Sequence, residues 1–233
     1  MLWVRPRSRL DISSTVSFIC TQVGCSTEED WMKLRHLMGY LNNTIHEKRI
    51  LGADSLVNLS TWIDSSHAIH ADMKGHTGGE MSFGIGVFNE KSNKQRINSM
   101  SSTKSEFVST SEYIPNNIWL ENFLRELGYK LKSNKLYQDN QSTIKMLKNG
   151  RRSCSSSSKH IDVCYFFIKD QIDNGTIEVE YCPTGIMLAD FFTKALQGNG
   201  SRKFRDVVLR KKHIKSLQVS DGAIDGTKER VGT

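Results

Sequence analysis

The sequence predicts a mixed α/β domain that follows a helical segment. Two observations carry this prediction. The spacing of apolar residues changes near residue 56, from a helical period before it to an alternating, strand-like period after it. Between 56 and 197, strand-like and helical stretches then succeed one another in the order β-β-β-α-β-α-α-β-α, which is typical of a mixed α/β domain. The 233 residues leave room for one or two domains.

The helical segment covers residues 11–51. Thr27 is followed three residues later by Asp30, which is the spacing of a capping box at the start of a helix. The apolar residues after it recur with a helical period, namely Trp31, Leu34, Leu37, Met38 and Leu41. The polar stretch 42–44 ends this helix.

Three strands are predicted next. Residues 56–64 form the first strand, which ends at Asp64. Gly75, Gly78 and Gly79 are interpreted as turn residues. The alternation over 81–88 predicts the second strand, 89–94 a polar turn, and 95–100 a third strand.

The rest of the domain alternates between helices and short strands. The longest helix is predicted over 105–127, and Pro115 is expected to kink it or split it in two. The remaining predictions are a strand at 135–139, a helix at 141–147, a Ser-rich basic loop at 151–159, a helix at 161–172, a strand at 176–182 and a helix at 186–196. After 200 the chain is basic and then polar, and we expect it to fray after about 216.

Composition excludes several classes of protein. The net charge of +7 permits a polyanionic partner without requiring one. Five cysteines without a C-x-x-C pair argue against a disulfide scaffold or a zinc ribbon. No apolar run approaches the roughly 18 residues of a membrane span, and the N-terminus lacks the apolar core of a signal peptide. We therefore expect an intracellular protein, in a cytoplasmic particle or the nucleus, that is not secreted and has no membrane partner.

Four acidic residues stand at or near the ends of predicted elements: Asp64, Glu106, Asp139 and Asp190. If they converge, their mutual repulsion requires a cation, and Mg²⁺ suits a site built from a few carboxylates. Two such ions roughly 4 Å apart can support phosphodiester cleavage. From the residues alone, each acid can equally be an ordinary turn, capping or surface residue.

Six stretches follow one another in a fixed order between 60 and 200. They are WIDSSHA at 62–68, HTGG at 76–79, SSTKSE at 101–106, YQDNQS at 137–142, KHID at 159–162 with the aromatic residues that follow it, and YCPT at 181–184 with LADFFTK at 188–194. Together they resemble the ribonuclease H region of copia-type retrotransposon Pol polyproteins. Residues 9–51 resemble the tail of that family's reverse transcriptase.

The resemblance implies a ribonuclease H-like fold, with a mixed five-stranded sheet flanked by helices. It assigns Asp64, Glu106, Asp139 and Asp190 as catalytic, metal-binding carboxylates for two Mg²⁺ ions, with Mn²⁺ as an alternative ion. The implied activity is endonucleolytic hydrolysis of the RNA strand of an RNA–DNA hybrid. Lys104 departs from the family's pattern, which has Glu there, but side chains at i and i+2 point apart, so we expect little effect on Glu106.

The resemblance also implies a division of the chain and a set of partners. Residues 1–55 would be the reverse transcriptase-like tail, 56–200 the ribonuclease H-like domain, and 201–233 a basic, partly disordered segment. The implied partners are the RNA–DNA hybrid and the reverse transcriptase domain of the parent polyprotein.

Binding of a hybrid needs phosphate contacts from basic side chains. The main candidates are Lys148, Arg151, Arg152, Lys159 and His160. Further candidates are Lys91, Lys94, Arg96 and Lys145. The alternative interpretation of 148–159 is a flexible solvated loop, and that of His160 is a structural residue at a helix start.

Two other functions compete with this one. The chain can be an inactive or co-opted retroelement remnant that binds nucleic acid without cutting it. Integrase-like strand transfer shares the fold class, but it usually comes with a zinc-binding Cys/His pattern in front, which this sequence lacks.

Overall fold

The computed structural model describes residues 1–149, 159–194 and 196–218, and the side chains among them except those of 159–162 and 218. Three helices come first: α1 (Arg5–Ser8), α2 (Ser13–Cys20) and α3 (Glu28–Asn43). The predicted capping box starts α3, since the Thr27 hydroxyl accepts from the Asp30 backbone N–H and the Asp30 carboxylate accepts from the Thr27 backbone N–H.

Strands and helices then follow in the predicted order. They are β1 (Asn58–Ser66), β2 (His76–Ser82), β3 (Asn89–Lys94), α4 (Ser102–Glu126), β4 (Ser133–Gln138), α5 (Gln141–Asn149), α6 (Lys159–Asp173), β5 (Glu178–Tyr181), α7 (Asp190–Thr193), α8 (Gly198–Val208) and α9 (Lys215–Gln218). None of the described helices is long and apolar enough to cross a membrane.

The five strands form one sheet in the order β3-β2-β1-β4-β5. β1, β2 and β3 pair antiparallel, whereas β4 runs parallel to β1 and β5 runs parallel to β4. The predicted mixed five-stranded sheet flanked by helices is therefore confirmed. Parallel neighbours end at the same edge of a sheet, so the ends of β1 and β4 come together.

Two apolar clusters cover the two faces of the sheet. Ile63 of β1 packs with α4 and α6 residues such as Phe107 and Tyr165 on one face. Trp62, its neighbour in β1, packs on the other face with residues of α7 and α8 such as Phe192 and Val208. This alternation along β1 is the period-2 pattern that identified the strand.

The predicted bounds of the second and third strands were wrong. β2 contains Gly78 and Gly79, which we had interpreted as turn residues. Gly84 and Gly86, inside the predicted second strand, instead adopt positive φ angles of 101° and 65° in the connection to β3. β3 covers 89–94, predicted as a polar turn, because an edge strand made of polar residues carries no apolar alternation.

The structure bears on two helix predictions. Of the two effects predicted for Pro115, a kink or a split, the split is wrong, because α4 runs unbroken from Ser102 to Glu126. The predicted helix over 186–196 is a 3₁₀ turn at Thr184–Ile186 followed by the single-turn helix α7.

The N-terminal helices pack directly onto the sheet. The Phe18 ring of α2 stacks on His76 of β2 at 4.5 Å and on His70 at 5.0 Å between ring centroids. His76 Nδ1 lies 3.0 Å from His70 Nε2, and His76 Nε2 lies 2.9 Å from the Ser92 hydroxyl. Burial lowers the pKa of His76 to about 3, so this histidine is neutral and serves as a hydrogen-bonded core residue.

Gly78 sets the distance between the sheet and α7. It is the register partner of Asp64 across the β1–β2 pair. A β-carbon at this position would lie 2.9 Å from the Ala189 carbonyl oxygen and would collide with the Thr193 side chain. The absence of a side chain therefore lets α7, which carries Asp190, approach the strand that carries Asp64.

Replacing Gly78 with alanine should destabilise the protein by about 1–3 kcal/mol, because the added methyl group forces α7 away from β2. Denaturant unfolding measures this change. Gly39→Ala in α3 is the matched control, since its β-carbon would meet open space, and it should stabilise the protein by about 0.5–1 kcal/mol. A Gly78→Ala protein as stable as the parent would contradict the close packing of α7.

Candidate active site

Each of the four predicted acids comes from a different element. Asp64 lies in β1 near its end, and Asp139 follows β4 directly. Glu106 lies near the start of α4, where the Ser101 hydroxyl caps the helix. Asp190 is the first residue of α7. The parallel pairing of β1 with β4 brings the first two together, and the helix starts bring the others to the same edge.

The structure groups three of the four carboxylates tightly. Asp64, Glu106 and Asp139 each offer an oxygen that lies within 4.8 Å of the others. Asp64 is only 2% exposed and Glu106 only 5%, whereas Asp139 is partly exposed. Asp190, 6% exposed, lies beside Asp64 outside this group. The geometry therefore brings all four residues to one place, as three close carboxylates and one adjacent.

Two residues of the α7 segment hold Asp64 and Asp190. The Thr193 hydroxyl donates a hydrogen bond to Asp64 Oδ2. The Lys194 ammonium lies 2.6 Å from Asp190 Oδ1 and 3.6 Å from Asp64 Oδ2. Neither residue has a role predicted from the sequence. The spacing of four between Asp190 and Lys194 was the one local signal, since residues four apart lie on the same side of a helix.

Hydrogen bonds also orient the other two carboxylates. The Gln138 side-chain amide donates to Glu106 Oε2 at 3.3 Å. The Thr184 hydroxyl donates to Asp139 Oδ2 at 3.0 Å. Gln138 lies 32 residues from Glu106, and Thr184 lies 45 residues from Asp139. No local pattern indicates contacts over such separations, so sequence analysis missed them.

Burial and mutual repulsion raise the pKa values of these acids. Burial first, and then the charge of Asp64, raise the pKa of Glu106 well above its usual range. The same two causes raise the pKa of Asp139, and they raise the pKa of Asp190 to about 7. Near neutral pH the cluster therefore retains protons that exposed carboxylates would have lost.

The donor set fits a hard divalent cation. All the grouped ligand atoms are carboxylate oxygens, which Mg²⁺ and Mn²⁺ accept, and the group contains no sulfur or imidazole ligand. A dication would relieve the repulsion that raises the pKa values.

The predicted substrate-binding residues are only partly described. Lys148 is exposed in the last turn of α5, the helix that begins two residues after Asp139. Arg151 and Arg152 lie outside the described residues, as do the side chains of Lys159 and His160. These assignments remain predictions.

A basic groove lies between β3 and the α4 helix. It has a volume of about 350 Å³, and its lining includes Lys91, Lys94 and Arg96. Lys91 is 3.5 Å from the Glu112 carboxylate, and Lys94 is 2.8 Å from that of Asp72. A phosphate bound there would compete with these acids, which leaves exposed Arg96 as the best placed of the three.

The raised pKa values predict how the metal-free protein responds to pH. A carboxyl group whose pKa is higher in the folded state takes up protons on folding, so stability falls as pH rises between the two values. For Asp190 this window extends from about pH 4 to about pH 7. In chelator, Asp190→Asn should therefore melt at a higher temperature than the parent at pH 8 and lose this advantage near pH 4. Each kcal/mol of stability gained by removing the charge of Asp190 should raise the melting temperature by roughly 2–4 °C for a chain of this size.

The control for this measurement is Asp173→Asn. Asp173 pairs with Lys169 four residues away in α6, but its side chain is 54% exposed. An exposed pair contributes little, so this variant should follow the parent at every pH. Equal melting temperatures of Asp190→Asn and the parent across the range would show that the cluster is not under electrostatic strain.

Comparison with known proteins finds similarity to retrovirus-related Pol polyproteins. It is 28% identical over 202 residues to "Retrovirus-related Pol polyprotein from transposon TNT 1-94" of Nicotiana tabacum, which covers 86% of this chain and 15% of that protein. It is also 28% identical over 199 residues to the Pol polyprotein from transposon RE1 of Arabidopsis thaliana, covering 84% of this chain and 13% of that protein. No protein-family model matches the chain.

Two solved structures are similar at lower identity. A complex of LC11-RNase H1 with RNA/DNA hybrid shares 10% identity and a TM-score of 0.42, over 58% of this chain and 93% of that one. A foamy viral protease-reverse transcriptase in complex with RNA/DNA hybrid shares 16% identity and a TM-score of 0.47, over 82% of this chain and 24% of that one.

The sequence relatives confirm the resemblance that the six motifs indicated. The chain spans about a seventh of the length of these relatives. By sequence, this chain is similar to the retrovirus-related Pol polyproteins of plant transposons over more than four fifths of its length.

Proposed function

We propose that the chain is a ribonuclease H-type endonuclease that hydrolyses the RNA strand of RNA–DNA hybrids with two Mg²⁺ ions, for which Mn²⁺ can substitute. In the parent polyprotein it would act beside a reverse transcriptase domain, and both domains would bind the hybrid. The convergence of Asp64, Glu106 and Asp139, with Asp190 adjacent, is the observation that carries this proposal.

The residues of the chain have separable tasks in this reaction. Bound divalent ions supply activation of the attacking water and stabilisation of the leaving oxygen. Asp64 is the central ligand, because it neighbours Glu106 and Asp139 on one side and Asp190 on the other. Asp139 is the most exposed of the three grouped acids and so faces the side from which a substrate can approach.

The hydrogen bonds around the carboxylates keep the ligand oxygens in place. Thr193 fixes Asp64, Gln138 fixes Glu106, and Thr184 fixes Asp139. Such outer contacts orient ligands, and their loss typically costs about 10–100-fold in metal affinity or activity.

The basic residues suit recognition of a nucleic-acid backbone. Lys148 is exposed in α5, the helix that begins just after Asp139, and Arg96 lines the groove beside α4. Contacts to phosphates and sugars read the shape of a hybrid and not its base sequence. We therefore expect a sequence-tolerant activity whose binding weakens with salt.

The competing proposal is a remnant that binds nucleic acid without cutting it. The convergence of four acids, with hydrogen-bond donors on Asp64 and Asp139, favours catalysis over this alternative. The two proposals predict the same salt-sensitive binding and differ only in cleavage.

A cleavage assay with a labelled RNA strand tests the proposal. In Mg²⁺ the parent protein should cut the RNA of a hybrid, leave its DNA strand intact and leave double-stranded DNA uncut. Asp139→Asn should lose at least about 100-fold in rate, since it removes a ligand and not merely an outer contact.

The exposed Asp173→Asn variant serves again as the matched control and should cut at the parent rate. Equal rates of RNA cleavage for the parent and Asp139→Asn would contradict the proposed catalytic function. Hybrid binding that weakens with salt, without any cleavage in Mg²⁺ or Mn²⁺, would establish the remnant instead.

A further inference from the structure

Lys194 places a protein cation inside the acidic cluster. Its Nζ lies 2.6 Å from Asp190 Oδ1 and 3.6 Å from Asp64 Oδ2. The two carboxylate side chains are 8% and 2% exposed, whereas the Lys194 side chain is 38% exposed. The ammonium therefore reaches from the surface to two largely buried acids.

The cluster has two halves, and only one of them is occupied by the Lys194 ammonium. Asp64, Glu106 and Asp139 form the close three-carboxylate half, to which Asp190 does not belong. The space between Asp64 and Asp190 is the other half, and the Lys194 ammonium bridges it. A cation held by the first half would leave the ammonium in place, whereas a cation held by Asp64 and Asp190 would have to take the position of the ammonium.

The net charge of the site also distinguishes binding of a first divalent ion from binding of a second. If bound cations displace the retained protons, four ionised carboxylates and one ammonium would leave three net negative charges. One divalent ion reduces this to one negative charge, whereas a second makes the site positive by one charge. A phosphodiester group carries the single negative charge that would restore neutrality.

We propose that Lys194 is the resident cation of the Asp64–Asp190 half, and that it gives up this position to a second divalent ion when the scissile phosphate of the substrate arrives. Its ammonium then pairs with that phosphate. This inference rests on the proposed function. Lysine suits the role because its ammonium is a compact charge with three donors on a flexible four-carbon stem.

A purely structural role for Lys194 makes a different prediction. A lysine that only stabilises the single-turn helix α7, as an ion pair four residues apart, would affect folding and leave ion binding unchanged. The two roles are therefore distinguished by counting ions and not by measuring stability.

The test is calorimetric titration of the substrate-free protein with Mn²⁺ and Mg²⁺, on the parent, Lys194→Met and Lys194→Arg. The parent should bind one ion well and a second weakly. Lys194→Met should bind the second ion at least about tenfold more tightly, because a positive charge close to that ion has been removed. Lys194→Arg keeps the charge and should behave like the parent.

Lys169→Met is the matched control, since Lys169 pairs with Asp173 four residues away on the surface of α6. It should leave both affinities unchanged. If Lys194→Met fails to fold, Lys194→Gln takes its place, with the same expected gain in second-ion affinity.

The proposed contact between Lys194 and the substrate phosphate is tested by steady-state kinetics on the hybrid. Lys194→Met should raise the KM for the hybrid at saturating Mg²⁺, because it removes a phosphate contact. An unchanged second-ion affinity in the charge-removing variants would overturn the inference even if the parent cleaves hybrids. A parent protein that binds no divalent ion would instead overturn the proposed function, so the two failures are distinguishable.

Discussion

Four carboxylates that repel one another meet at one edge of the sheet, and the elements around them must hold them there. Two like charges 4 Å apart repel by about 4 kcal/mol at the effective dielectric typical of protein sites. Here the acids are also largely buried, which adds a desolvation cost to each charge. Hydrogen-bond donors and one ammonium offset part of this cost, and the proposed divalent ion would balance the remaining charge.

The strand pairing in the sheet and the position of α7 bring the four carboxylates together. Parallel pairing of β1 with β4 delivers Asp64 and Asp139 to one edge. The missing side chain at Gly78 lets α7 lie against β2, which brings Asp190 and Lys194 to Asp64. The site therefore depends on backbone placement as much as on the acidic residues themselves.

The order of elements was predictable from the sequence, and so was the convergence of the four acids, whose catalytic role stays a prediction; the bounds of β2 and β3 were not predictable. Glycine is uncommon in strands, so Gly78 and Gly79 indicated a turn. Their actual function is close packing: a β-carbon on Gly79 would meet the Tyr113 ring, and one on Gly78 would meet α7. The need for this space comes from tertiary contacts, which a local pattern does not contain. The donors Thr193 and Thr184 were missed for the same reason.

We propose above that the converged carboxylates hold a divalent ion. A crystal structure of the protein with Mn²⁺, in which anomalous scattering locates the ion, tests this proposal. We expect a peak in direct contact with oxygens of Asp64, Glu106 and Asp139, which Asp139→Asn weakens or abolishes. A well-ordered cluster without a peak at saturating Mn²⁺, or a peak elsewhere with these carboxylates unliganded, would contradict it.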